Sequence, residues 1–121
     1  MEEKNTILIV EDDVLVLAVI SKMLRRAGYD VMVAVTGKEA IKLYRQSRAV
    51  IDMVFVDFKL PDINGLEVAS QIRKHGPHCK ILGMSGMLTI EDRFRALGLE
   101  FIQKPFQEEE LLNKISAYVT S

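Results

Sequence analysis

The sequence predicts an α/β domain in which one parallel sheet is covered by helices on both faces. Three observations lead there. Short apolar runs rich in β-branched residues recur along the chain, and each is followed by a segment with apolar residues at helical spacing. Turn and cap residues punctuate every junction. The run Met53-Val54-Phe55-Val56 has no polar alternation, which suits a strand buried on both faces rather than a half-wet one. Strict strand–helix alternation of this kind implies right-handed crossovers and parallel pairing.

The first strand is Thr6-Ile7-Leu8-Ile9-Val10, and it ends in acid at Glu11-Asp12-Asp13. A helix follows from about Val14 to Ala27, capped by Asp13, with Lys22, Arg25 and Arg26 toward its C-terminal end and Gly28 as its stop. Val16, Leu17, Ile20, Met23 and Leu24 form its sheet-facing stripe. Tyr29 to Val35 reads as the second strand. Thr36-Gly37-Lys38-Glu39 has the form of a capping box, Thr36 receiving the Glu39 amide and the Glu39 side chain reaching back. The helix it opens carries Ala40, Leu43 and Tyr44 inward and runs to about Arg48.

The third strand, Met53 to Val56, stops at Asp57. Phe58 to Gly65 is a loop by its Pro61 and Asn64-Gly65. Asn64 through Glu67 forms a second box-like start, for a helix to Lys74 with Leu66, Ala69 and Ile72 on its apolar side; Pro77 cannot continue it. Cys79 to Met84 is the fourth strand, followed by Ser85-Gly86. Thr89 caps a short helix to Leu97, with Glu91 and Asp92 in its first turn and Gly98 after it. Leu99 to Gln103 is the fifth strand, ending at Lys104-Pro105. Glu108, Glu109 and Glu110 begin the last helix, docked by Leu111, Leu112, Ile115 and Tyr118.

The bulk numbers set limits. A chain of 121 residues supports one core and one domain, residues 1–121. A net charge of −1 gives no electrostatic footprint for nucleic acid, and the longest apolar stretch, Val14 to Ile20, is far short of a membrane span. One cysteine, Cys79, and an acidic start without an apolar region after it fit the cytoplasm.

Parallel strands open their C-terminal ends on one rim. That rim gathers Glu11 and Asp12, Asp57, Ser85 and Lys104 from four strands. If the first and third strands are neighbours, the carboxylates lie within roughly 4–6 Å, the scale of strand spacing. Carboxylates about 4 Å apart repel by roughly 4 kcal/mol at a surface-like dielectric, so they call for a cation, a captured proton or strong solvation. An all-oxygen set without His or Cys favours Mg2+, which usually serves a phosphoryl group. A lysine and a hydroxyl can take the phosphoryl oxygens left over, and Asp can form an acyl phosphate. Asp57 as a mere turn cap is the plain alternative.

With those residues in place, the whole chain resembles a receiver domain of the response regulators of two-component signalling, similar to the single-domain chemotaxis and sporulation phosphorelay regulators. Ile7 to Asp12 resembles the first strand and acidic pair. Val54 to Asp57 with Leu60-Pro61 and Gly65 resembles the phosphoacceptor strand and its D-x-x-[ML]-P-x-x-x-G loop. Met84-Ser85-Gly86 and Phe101-Ile102-Gln103-Lys104-Pro105 resemble the Thr/Ser and Lys-Pro stations. The resemblance implies a flavodoxin-like, doubly wound sheet in the order 2-1-3-4-5 with five helices. It also implies a role for each residue: Asp57 takes the phosphoryl group from a histidine kinase or phosphotransfer protein. Asp12 binds Mg2+ directly, Glu11 does so directly or through water, and the Lys59 carbonyl completes the set. Ser85 and Lys104 hold phosphoryl oxygens, and Pro105 follows a cis bond. Asp13 stays a helix cap rather than a metal ligand.

The same resemblance implies a switch rather than an enzyme. Phosphorylation draws in Ser85, and Phe101 fills the vacated space, unless Phe101 is permanent core. Output goes to a partner protein on the fourth helix, fifth strand and fifth helix, around Arg93, Phe101 and Tyr118, since no output segment follows Ser121. The chain is equally readable as a receiver excised from a longer regulator or hybrid kinase, or as a receiver-like scaffold that works without phosphorylation. Lys59, two residues after Asp57, and Met87, two after Ser85, depart from commoner choices and should hinder attacking water, unless Lys59 merely extends into solvent. An FMN site is disfavoured because acid occupies the place of a phosphate loop after the first strand. A Mg2+ phosphatase is disfavoured because Lys59 stands where a second Asp would act as general acid. His75, His78 and Cys79 lack a fourth ligand.

Overall fold

The elements alternate without exception in a computed structural model that describes residues 4–120; Met1–Glu3 of the acidic start, and Ser121, lie outside the described residues. They are β1 Thr6–Val10, α1 Val14–Arg26, β2 Asp30–Ala34, α2 Gly37–Ser47, β3 Met53–Asp57, α3 Gly65–His75, β4 Lys80–Ser85, α4 Ile90–Ala96, β5 Glu100–Gln103 and α5 Glu108–Val119. The sheet has the order β2-β1-β3-β4-β5, with every pairing parallel. The predicted fold class is the observed one.

Alternation along the central strands splits the core into two layers, because successive side chains leave a strand on opposite faces. Leu8, Val10, Val54, Val56 and Ile81 point to one side, where α2, α3 and α4 cover them through Ala40, Tyr44, Val68, Ile72 and Phe94. Ile7, Ile9, Met53, Phe55, Leu82 and Met84 point to the other, against Leu17, Ile20 and Leu24 of α1 and Leu111 and Ile115 of α5. All of β3 is buried, as its unbroken apolar run requires.

Local chemistry fixes most element ends. The Asp13 carboxylate accepts the Leu15 and Val16 amides, and Gly28 turns the chain out of α1 at φ 97°, a conformation that a Cβ disfavours. Asn64 accepts the Glu67 amide at the start of α3. Three expectations are corrected. The Thr36 hydroxyl does receive the Glu39 amide, but the Glu39 carboxylate reaches one residue past the cap and takes the Val35 N–H. Glu67 does not reach back either; it accepts from the Gln71 side chain one turn on. Thr89 occupies the cap position of α4 without making a cap bond, because its backbone is already helical (φ −87°, ψ −9°) rather than extended as a capping residue's is. Strand ends also differ slightly: β2 and β5 begin one residue later than predicted, and β4 spans Lys80–Ser85 rather than Cys79–Met84.

Candidate functional site

Register brings the acidic residues together. Val10 pairs with Val56, so the chain leaves β1 beside the residue before Asp57, and Asp57 itself pairs with Met84, one residue before Ser85. Carboxylate oxygens of Glu11, Asp12 and Asp57 all lie within 4.8 Å of one another, inside the range expected from strand spacing. Among the described residues this is the one such group; His75, His78 and Cys79 do not form another.

Lys104 is delivered to the same place by β5. Its Nζ donates to Glu11 Oε1 at 2.7 Å and lies 3.2 Å from Asp57 Oδ2. Burial alone would lower its pKa, but the hydrogen bond to Glu11 and the charges of Asp57 and Glu11 outweigh that and hold it above its ordinary value. Glu11 is 1% exposed, which makes this ammonium a necessary partner. Its other oxygen accepts the Asp13 amide at 3.3 Å. Three carboxylates against one ammonium leave a formal charge of −2, which one divalent cation balances.

These groups border an open cleft of about 390 Å³, walled on one side by Lys59, Leu60 and Pro61. Hard oxygen donors, two of them buried, on a cleft with room for water fit Mg2+ better than a closed structural metal. Glu11, Asp12 and Asp57 would supply the side-chain ligands, with the exposed Lys59 contributing from the adjoining loop.

Ser85 and Phe101 are placed differently from the ion-facing residues. Ser85 is buried beside the cleft rather than lining it, and its Oγ accepts the Met87 amide at 3.0 Å. Phe101 is 2% exposed, its ring 5.6 Å from that of Phe94. Of the three residues expected at a partner face, Arg93 is exposed and Tyr118 half-buried, while Phe101 offers no side-chain surface in this state. The Lys104–Pro105 bond is cis, as the resemblance implied.

Asp62 was not singled out by sequence reasoning beyond its place in the loop. Its carboxylate accepts the Gly37 amide at 2.9 Å and the Lys38 amide at 2.8 Å, tying the loop after β3 to the start of α2. Burial would raise its pKa, but these backbone hydrogen bonds prevail and hold it below the ordinary value. Nothing local in the sequence marks a contact across 25 residues.

The family model of the response regulator receiver domain matches residues 7–116. The cell cycle response regulator CtrA of Brucella ovis is 35% identical over 119 residues, covering 93% of this chain and 49% of that protein. The chain thus spans about half the length of the curated relatives it matches. A CheY-like response regulator receiver domain protein from Methanospirillum hungatei superposes with a TM-score of 0.86 at 30% identity, over 98% of this chain and 95% of that one. The receiver domain of a sensor histidine kinase from Pseudomonas aeruginosa does so at 0.86 and 27%, over 98% and 100%; that structure has a magnesium ion coordinated in its active site cleft.

Proposed function

The chain belongs to the response regulator receiver domain family, and from that premise we propose that it is a phosphorylation-driven signalling switch with Asp57 as its phosphoacceptor. One observation carries the reading. Glu11, Asp12 and Asp57 converge to within 4.8 Å while Lys104 bridges Glu11 and Asp57, an arrangement costly to build unless charge is to be bound there.

The donor is a histidine kinase or phosphotransfer protein. An Asp57 carboxylate oxygen attacks phosphorus, the N–P bond of the donor phosphohistidine breaks, and its electron pair returns to the imidazole, which takes up a proton. Bound Mg2+ would neutralise charge on the phosphoryl oxygens as they approach the carboxylates. Lys104 is already placed against Asp57 and pairs with one of those oxygens. Ser85 turns its hydroxyl from the Met87 amide to another, which draws the following loop toward Asp57. The module acts on no separate pool of substrate. Its output passes to a protein partner at α4, β5 and α5, and a cytoplasmic location suits its single free cysteine. No helix among the described residues is long and apolar enough to cross a membrane.

The deciding test is treatment with acetyl phosphate and Mg2+ followed by intact mass measurement beside Asp57→Ala. The wild type is expected to gain one phosphoryl group and the variant none; a wild type that gains no mass overturns the proposal. Lifetime is a finer test. Lys59 is exposed on the cleft wall, and Met87, two residues after Ser85, is exposed in the next loop; both would hinder an in-line water. Phospho-Asp57 should therefore decay a few-fold faster in Lys59→Asn and Met87→Glu, and unchanged or slower decay in both discards that part.

A further inference from the structure

The wall of the cleft that carries Lys59 is held from outside the cleft. Residues 58–64 leave β3 and return as α3. Near the chain ends of this loop the Phe58 amide donates to the Met84 carbonyl at 3.0 Å, and the Gly65 amide donates to the Phe58 carbonyl at 2.8 Å. Between them Lys59, Leu60 and Pro61 line the cleft without backbone bonds of their own to the sheet. Pro61 has a fixed φ, so few dihedrals separate Phe58 from the next fastening point. That point is Asp62. Both of its oxygens are occupied by amides in the first turn of α2. The adjoining Ile63 fills the space beside Gly37 so closely that a Cβ there would meet its Cγ1 at 2.6 Å.

The start of α2 therefore has two unrelated caps. Thr36 takes the Glu39 amide locally, and Asp62 takes the Gly37 and Lys38 amides from another part of the chain. A helix start needs no cap from that distance for its own sake, since a short loop residue serves elsewhere in this fold at Asp13 and Asn64. What the distant cap adds is a fixed position for the segment 59–61. We infer that Asp62 is a positioning residue for the metal site: by clamping the loop to α2 it holds the Lys59 wall of the cleft at the distance that Mg2+ binding requires. This rests on the reading of Glu11, Asp12 and Asp57 as a Mg2+-dependent phosphoacceptor site.

The experiment compares Asp62→Ala and Asp62→Asn with Thr36→Ala, which removes a cap from the same helix and leaves the Asp62 bonds to the Gly37 and Lys38 amides in place. Mg2+ binding is titrated by calorimetry below the unfolding range of every variant. The initial rate of phosphorylation by acetyl phosphate is measured as a function of Mg2+ concentration. Asp62→Ala should bind Mg2+ about tenfold more weakly, the low end of what losing a group that orients metal ligands costs. Its phosphorylation rate at saturating Mg2+ should stay near that of the wild type. Asp62→Asn, which keeps one acceptor oxygen, should fall between, and it keeps the test open if the alanine variant does not fold. Thr36→Ala should lose thermal stability while binding Mg2+ as the wild type does. Equal Mg2+ affinity in all variants, or equal weakening in Asp62→Asn and Thr36→Ala, overturns the positioning role and leaves the phosphoacceptor reading intact. A wild type that binds no Mg2+ and gains no phosphoryl group overturns both.

Discussion

The two loops that flank Asp57 are held in opposite ways. The loop after β3 is fastened at its start to β4, closed on itself at Gly65, clamped to α2 through Asp62 and handed to α3 by the Asn64 cap. The loop after β4, residues 86–89, is exposed throughout, with Leu88 at 80%, and enters a seven-residue helix that lacks a side-chain cap. Its main ties are the Met87 amide on Ser85 Oγ and the Ile90 amide on the Met87 carbonyl. Few internal bonds and little buried surface are what allow a segment to rearrange at low cost. The proposed phosphoacceptor Asp57 and the carboxylates that would hold Mg2+ thus sit against the fixed side, while the hydroxyl expected to follow the phosphate belongs to the loose side.

The largest effect expected from breaking this contrast is at Gly65. A Cβ there would fall 2.3 Å from the Asp57 carbonyl oxygen and 2.9 Å from the Phe58 Cα, both backbone atoms that cannot turn aside. Gly65→Ala should cost about 3 kcal/mol in urea unfolding, the upper end of overpacking penalties. It should also slow phosphorylation of the folded protein, because the forced shift moves Asp57. Wild-type stability in that variant would mean the loop is looser than its bonds imply.

The contrast also explains what was legible in the sequence. Asp13, Gly28, Asn64 and Pro77 act on neighbours within a few residues, and the alternation of strands and helices is a local signal, so the fold and the rim could be read directly. The Lys104–Glu11 pair spans 93 residues, yet the rule that parallel strands share a rim brings both ends to one place. Asp62 had no such rule behind it, because its partner depends on how closely α2 and α3 pack. Thr89 misled for a different reason. It has the residue type and the following acids of a helix cap, but the chain arrives already in helical geometry. Phe101 was weighed as permanent core, but its ring partner Phe94 lies on a neighbouring helix, and no pattern within β5 reports that contact.

Lys104 gives the next effect in size. Lys104→Ala removes the partner of a carboxylate that is 1% exposed, while the lysine itself is 26% exposed. The loss without metal should be about 2 kcal/mol, below the ~3–5 kcal/mol of a fully enclosed pair. Mg2+ bound at these carboxylates would supply the missing positive charge, so the melting temperature of this variant should rise more on adding Mg2+ than that of the wild type. An equal rise in both would mean that Lys104 and the ion do not act on the same carboxylates. Phosphorylation should stay impaired even at saturating Mg2+, since the ammonium is absent from the phosphoryl oxygens.

The smallest effect is the most discriminating for the loops themselves. Asn64 and Thr89 occupy equivalent places, each the cap residue of the helix that follows a strand of the rim. Asn64→Ala removes a real bond to the Glu67 amide and should cost about 1 kcal/mol. Thr89→Ala removes a hydroxyl that makes no cap bond, at an exposed position, and replaces it with a better helix former. Its stability should therefore stay within about 0.5 kcal/mol of the wild type, the range of surface changes that touch nothing specific. The comparison becomes sharper in the phosphorylated protein. If the loop after β4 closes toward Asp57, residues 86–89 take up new positions and Thr89 acquires neighbours it lacks here. A difference between Thr89→Ala and the wild type that opens only after phosphorylation would mark residue 89 as part of the moving segment. A loss of about 1 kcal/mol already present in the unphosphorylated protein, as large as that of Asn64→Ala, would mean that α4 is capped after all and that the two loops are held alike.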